Sequence, residues 1–192
     1  MMKLVAIVGG IGSGKSVVSS VLRIIGYNVY DCDSRARSLM NSSAAIQHDL
    51  VAAFGPDVIT GDGTVDAPRL SSLVFADKSL LLTLNSIVHP RVKDDLLQWA
   101  SGCGSDVAFF ETAILRESGF SAVCDAVWCV AAPDEVRVRR VMARNGVSEA
   151  AVRARILAQN NDYSDLHDCS FICNDGVAAL LPQIHDLLHN LV

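Results

Sequence analysis

The chain has 192 residues, of which 51% are hydrophobic and 19% charged. That length suits one domain with an inserted lobe, and a mean hydropathy of +0.33 excludes a disordered chain, which lacks the apolar surface to offset the entropy of ordering. A formal net charge of -5 argues against a nucleic-acid binder, which carries a basic excess, and no apolar run reaches the roughly 18 to 20 residues that span a bilayer.

In chain order, residues 3–8 form an apolar run that turns glycine-rich, with neither the length nor the small-residue cleavage site of a signal peptide. With residues 27–30, 107–110, 126–131 and 170–173 it reads as a set of buried strands. All five are β-branched or aromatic, lack alternation and end in turn or acidic residues, as parallel strands covered on both faces do. Between them, residues 15–25, 134–143, 149–159 and 177–190 have helical periodicity. The expectation is an α/β fold of the P-loop NTPase type: a five-stranded parallel sheet with helices on both faces.

Residues 34–104 break that rhythm. They hold helical patterns at 46–54, 80–88 and 91–100, a turn-rich stretch from Gly55 to Gly63, and no buried strand. This predicts a mostly helical lobe inserted into a core of residues 1–33 and 105–192, with a lid at 137–160. Cys32, Cys103, Cys124, Cys129, Cys169 and Cys173 form no CxxC pair and have no histidine at zinc-finger spacing. They read as reduced structural thiols of a cytoplasmic protein.

Gly9-Gly10-Ile11-Gly12-Ser13-Gly14-Lys15-Ser16 fits G-x-x-x-x-G-K-[ST], between a strand and a helix. Such a loop turns backbone N–H groups toward a phosphate chain at a helix N-terminus. Lys15 is expected at the β- and γ-phosphates and Ser16 on Mg²⁺, so the chain is expected to bind a nucleoside triphosphate. It shows no Asn-Lys-x-Asp stretch of the kind that reads guanine.

Asp31 and Asp33 follow the second strand, where one carboxylate can accept a proton from an attacking hydroxyl and the other orient Mg²⁺ or cap a helix. Strand alternation with Asp31 points Asp33 into the site. Glu111, at the end of the third strand, is the other candidate to reach Mg²⁺ through water. Six of the twelve arginines lie between Arg137 and Arg155. Arg137, Arg140 and Arg144 share a helix face, and lid arginines stabilise the charge that phosphoryl transfer develops. Asn145-Gly146 suits a left-handed hinge turn.

These residues carry a resemblance to the dephospho-coenzyme A kinase family. Its glycine loop is matched by residues 8–16, its D-A-D by Asp31-Cys32-Asp33 and its A-R by Ala36-Arg37. Phe54-Gly55, Asp62-Gly63, Leu70, Val74-Phe75 and His89-Pro90 follow in the family's order, as do Leu115 and Glu117-Ser118-Gly119. The lid R-x-M-x-R is Arg140 to Arg144, R-I-x-x-Q is Arg155 to Gln159, and I-x-N-x-G is Ile172 to Gly176. Val8, Val17, Cys32, Ala113, Arg116 and Ser170 depart from the pattern.

The resemblance implies ATP-dependent phosphorylation of the ribose 3′-hydroxyl of dephospho-CoA, the last step of CoA biosynthesis. By position it implies Asp33, Lys15 and Arg140 as catalytic and Ile11, Gly12, Ser13, Gly14, Lys15, Ser16, Val17, Arg144, Asn174 and Gly176 as ATP-binding. Asp33, Arg37 and His89 are implied on the acceptor side. Mg²⁺ and ATP are the implied cofactor and co-substrate, with no nucleic acid, membrane or obligate protein partner. The competing readings are another P-loop nucleoside or nucleotide kinase and a non-catalytic nucleotide-binding regulator.

Overall fold

A computed structural model describes residues 2–159 and 169–191. Residue 160, the expected end of the lid, and the rest of 160–168 lie outside the described residues.

Five strands, β1 (Lys3–Val8), β2 (Asn28–Asp31), β3 (Val107–Glu111), β4 (Ala126–Ala131) and β5 (Cys169–Cys173), form one sheet in the order β2-β3-β1-β4-β5. The ladders of β1 with β3, β1 with β4 and β4 with β5 are parallel. Each strand lies within a residue or two of its predicted span. β1 is central, with β3 on one side and β4 on the other, so the chain leaving Val8 enters the crevice where the strand order reverses.

Contacts divide the chain into two compact units. The first comprises Met1–Tyr30, Cys103–Leu115 and Ser121–Val192. Its core joins Val5, Ile7, Phe109, Trp128 and Ile172 of the sheet to Val18 and Leu22 of α1 (Lys15–Ile24) and to Ile184 and Leu191 of α8 (Leu180–Leu191). Phe109 packs against Trp128 at 5.0 Å between ring centroids and against Tyr27 edge-on at 5.4 Å. The alternate residues Leu4, Ala6 and Val8 are just as buried, which is why β1 shows no polar alternation. A second cluster joins Val138 and Val141 of α6 (Asp134–Asn145) to Val152 of α7 (Glu149–Ala158), with Ile11 packed against it. No disulfide joins the six cysteines. Burial raises the pKa of the Cys103 thiol and pushes that of Cys124 up to about 11, which disfavours the thiolate in both.

The other unit comprises Asp31–Gly102 and Arg116–Phe120. It holds α2 (Cys32–Ser42), α3 (Ala44–Phe54), α4 (Ala67–Ala76) and α5 (Lys78–Ser101) around Ile46, Leu50, Val58, Leu70 and Val74. Each helix begins on a side-chain cap: Asp31, Ser43, Asp66 and Asp77 accept from the backbone N–H groups of Ser34, Ile46, Arg69 and Ser79. Each cap contributes about 1 kcal/mol.

Among these helices α2 and α4 had no predicted span, and two further spans differ from those predicted. The patterns at 80–88 and 91–100 are one helix, α5, which runs through Pro90. An interior proline costs about 3 kcal/mol, but Val88, Val92, Leu96 and Ala100 form an unbroken buried stripe that keeps the helix going while Pro90 faces solvent. The last helix starts at Leu180 rather than at residue 177, because the Asp175 carboxylate accepts from the backbone N–H groups of Val177 and Ala178 and holds a turn there.

Candidate active site

The glycine loop of the first unit runs from Gly9 into α1. Its N-cap, Gly14, has a φ of 97° and offers no side-chain cap, so the helix N-terminus is left open to an acceptor. Two glycines are required by contact as well as conformation. A Cβ on Gly12 would lie 2.7 Å from the Arg137 carbonyl oxygen, and one on Gly14 only 2.0 Å from Nδ2 of Asn174. Lys15 Nζ donates to the Gly9 carbonyl at 2.9 Å, along the loop's own backbone. Ser16 and Val17 are exposed in the first turn of α1, and Ser13 is buried.

Side chains remote in sequence hold the loop. The Asn174 amide donates to the Ser13 carbonyl at 2.9 Å. Arg140 donates through Nη1 to the Asn174 carbonyl at 2.9 Å and through Nη2 to the Asn174 side-chain oxygen at 3.2 Å, with longer contacts to the carbonyls of Gly12 and Ser13. Ile11 is gripped through both its backbone groups: Gln159 Oε1 accepts its N–H at 2.8 Å, and Arg137 Nε donates to its carbonyl at 3.0 Å. Behind Asn174, the Gln183 amide pairs with both backbone groups of Cys173, at 2.8 and 3.0 Å, and so extends the ladder past β5. Gly176 has a φ of 91° in the turn that follows.

Of the arginine stripe, Arg137 and Arg140 reach the loop, whereas Arg144 is exposed and donates to its neighbour Asn145 at 3.0 Å. Gly146 ends α6 in the left-handed conformation, as Asn-Gly predicts. Arg153 bonds both Glu135 and Glu149 at 2.8 Å, joining α6 to α7. Glu111 ends β3 opposite Ile7, one residue short of the end of β1.

Asp31, Asp33, Arg37 and His89 belong to the helical unit. Asp31 is the cap of α2, and Asp33 lies exposed in the first turn of that helix. The chain is already helical at Cys32, so strand alternation does not orient Asp33. Capping does the sorting: Asp31 Oδ1 accepts from the Ser34 N–H at 3.1 Å, and the Asp33 carboxylate extends into solvent. Arg37 is exposed, its Nε donating to the Asp33 backbone carbonyl at 3.2 Å. The neighbouring Arg35 makes a bidentate pair with Asp95, at 2.6 and 3.0 Å, which fixes α2 to α5. His89 is half-buried, and burial lowers its pKa. A hydrogen bond with the Glu117 backbone and the Glu117 charge raise it in part.

Reasoning from sequence did not assign Arg137 or Gln159 to the site. Both appeared only as members of a motif or a stripe, and their partners lie 126 and 148 residues away.

A glycine loop between a central parallel strand and a helix, tied by an arginine from a helical hairpin, defines a P-loop kinase. Shikimate kinase from Acinetobacter baumannii shares this fold at a TM-score of 0.55 and 13% identity, covering 100% of this chain and 93% of that one. A family model described as dephospho-CoA kinase matches residues 3–178, and the chain belongs to that family. Dephospho-CoA kinase of Porphyromonas gingivalis is 44% identical over 163 residues, covering 85% of this chain and 80% of that protein. That of Bacteroides fragilis is 38% identical over 186 residues, covering 96% and 90%. A Thermus thermophilus crystal structure superposes with a TM-score of 0.82 at 33% identity, over 99% of this chain and 96% of that one.

Proposed function

We propose that this protein transfers the γ-phosphoryl group of ATP to the ribose 3′-hydroxyl of dephospho-CoA, giving CoA and ADP. The observation that carries the reading is the tied glycine loop in a chain whose family match spans residues 3–178. In the transfer, the hydroxyl oxygen forms a bond to the γ-phosphorus while the bond from that phosphorus to the β–γ bridging oxygen breaks. The hydroxyl proton goes to the Asp33 carboxylate, and ADP departs.

The backbone of residues 11–16 and Lys15 hold the phosphates, in which work the open N-terminus of α1 contributes its partial positive charge. Arg140 stabilises the charge that spreads over the equatorial oxygens, in reach of the loop through Asn174. Val17 packs beside the phosphates, Arg144 serves the nucleotide once α6 and α7 close, and Gly176 borders the adenine. Arg37 and His89 bind the acceptor.

The oxygen donors suit a hard cation such as Mg²⁺. The Ser16 hydroxyl is exposed in the first turn of α1, and Glu111 ends the neighbouring strand, while Asp31 is engaged as a cap. Ser16, with Glu111 through water, would hold the Mg²⁺, whose chemistry is neutralisation of the β- and γ-phosphate charge. Among the described residues no helix is long and apolar enough to cross a membrane, and we place the activity in the cytoplasm.

The test is ADP release with ATP and Mg²⁺ in the presence of dephospho-CoA, adenosine or AMP, with the product identified by mass. Dephospho-CoA-dependent ADP release and a CoA mass are expected. Equal turnover of adenosine would overturn the assignment of the acceptor. The Asp33→Asn variant is expected to lose turnover about 10²- to 10⁴-fold while keeping ATP affinity, and unchanged turnover would remove Asp33 from the mechanism.

A further inference from the structure

We propose that His185 and His189 form a two-imidazole chelate for a borderline divalent transition metal, Zn²⁺, Ni²⁺ or Cu²⁺, on the exposed face of α8. The two residues are four apart on one helix, so their side chains lie on the same face a turn apart. Their ring centroids are 4.6 Å apart, with the planes tilted by 33°. Metal–imidazole bonds are about 2.0–2.1 Å long, so a shared ion needs two ring nitrogens within a few ångströms of each other, and rings this close can meet that. Both side chains are exposed, and among the described residues neither imidazole has a hydrogen-bond partner, so both rings are available to a ligand.

The helix that carries them is already fixed. Ile184 and Leu191 lie in the core of the sheet-bearing unit, and Lys3 Nζ donates to the Leu191 carbonyl at 2.5 Å, which closes the C-terminal end of α8. A chelate on such a helix pays little ordering entropy when it binds, the usual advantage of a preorganised site. Gln183, on the same helix, pairs with the Cys173 backbone from another side, so the imidazole face has no part in holding the glycine loop.

The donor set decides which ions bind. Two imidazoles favour metals in the order Co²⁺, Ni²⁺, Cu²⁺, with Zn²⁺ below Cu²⁺, and reject Mg²⁺ and Ca²⁺, which require oxygen ligands. Among the described residues no cluster of three or more His, Cys, Asp or Glu could hold a metal, so water completes the coordination shell. The ion held here is therefore distinct in kind from any Mg²⁺ that accompanies ATP. By bridging one turn of α8, it also links metal concentration to the stability of the folded chain.

The experiment titrates NiCl₂ and ZnCl₂ into the metal-stripped full-length protein, followed by calorimetry and by the histidine ring C–H signals in NMR. One equivalent is expected to bind, with the signals of His185 and His189 perturbed and those of His48 and His89 unchanged. Outer groups that merely orient a metal ligand already cost 10- to 100-fold in affinity when removed. His185→Ala and His189→Ala are therefore each expected to weaken binding at least about tenfold. His48→Ala, His167→Ala and Cys173→Ser are expected to keep it, as is the wild type in excess Mg²⁺. Because both histidines are exposed, their variants should fold, and a second readout checks this: Zn²⁺ should raise the melting midpoint of the wild type and leave that of both variants unmoved. Undiminished binding by the His185→Ala/His189→Ala double variant, or binding lost in Cys173→Ser, would overturn the chelate.

Discussion

The groups assigned to ATP and those assigned to the acceptor are held in different ways. In the sheet-bearing unit, the glycine loop is pinned at successive peptides by Gln159, Arg137, Arg140 and Asn174, each of which spends a polar group on it. In the helical unit, Asp33 and Arg37 are exposed on the first turns of α2, and the strong tie nearby, Arg35 to Asp95, secures the helix rather than either of them. The pinned loop is fixed before a ligand arrives and contributes electrostatics without reorganisation, whereas the exposed Arg144 is not. The second set pays for its ordering when the acceptor binds. Mutations in the two sets should therefore fail differently.

The largest expected effect tests the pinned set. Arg140→Ala should lower kcat by about 10³-fold or more, with a much smaller change in ATP affinity; equal losses in both would mean that Arg140 merely binds the ground state. Core truncation sharpens the contrast by separating scaffold from chemistry. Leu96 is fully buried in α5, and Leu96→Ala should cost about 2–5 kcal/mol, read as a shift in the urea midpoint. Asn174→Ala should cost less, about 1–3 kcal/mol, because it removes the shorter donor to the Ser13 carbonyl, leaving the 3.4 Å contact from Arg140, and takes one acceptor from Arg140. In that variant the ATP KM should rise while the acceptor KM stays, measured in steady state with each substrate varied.

The smallest effect concerns pH. Burial holds the His89 pKa below its ordinary value, so the folded chain resists taking up that proton. Stability should then fall as pH drops below about 6.5, where the unfolded chain protonates this histidine. His89→Gln should flatten that part of the urea-midpoint profile, and an unaltered slope would show that another group is responsible.

The sheet was legible because its strands are uninterrupted apolar runs, and Gly9 to Ser16 carries its own conformational demand in the glycines. The helical unit was less so. In α2 the single buried residue is Cys32, which leaves no apolar period to read, and its start is set by a cap that strand alternation cannot anticipate. Pro90 reads as a helix end, yet the stripe from Val88 to Ala100 outweighs it. The resemblance names Arg140 and includes Gln159 in a motif, but the bonds of Arg137 and Gln159 to Ile11 were not legible, because their partners are backbone groups more than a hundred residues away.

That shared hold on Ile11 has a mechanical consequence. Arg137 on α6 and Gln159 just beyond α7 hold the carbonyl and the N–H of Ile11, and Arg153 joins the two helices. A swing of the α6–α7 hairpin must break both bonds or drag Ile11 with it. The hairpin and the crest of the loop thus move as one lever, and whatever displaces one end reports at the other.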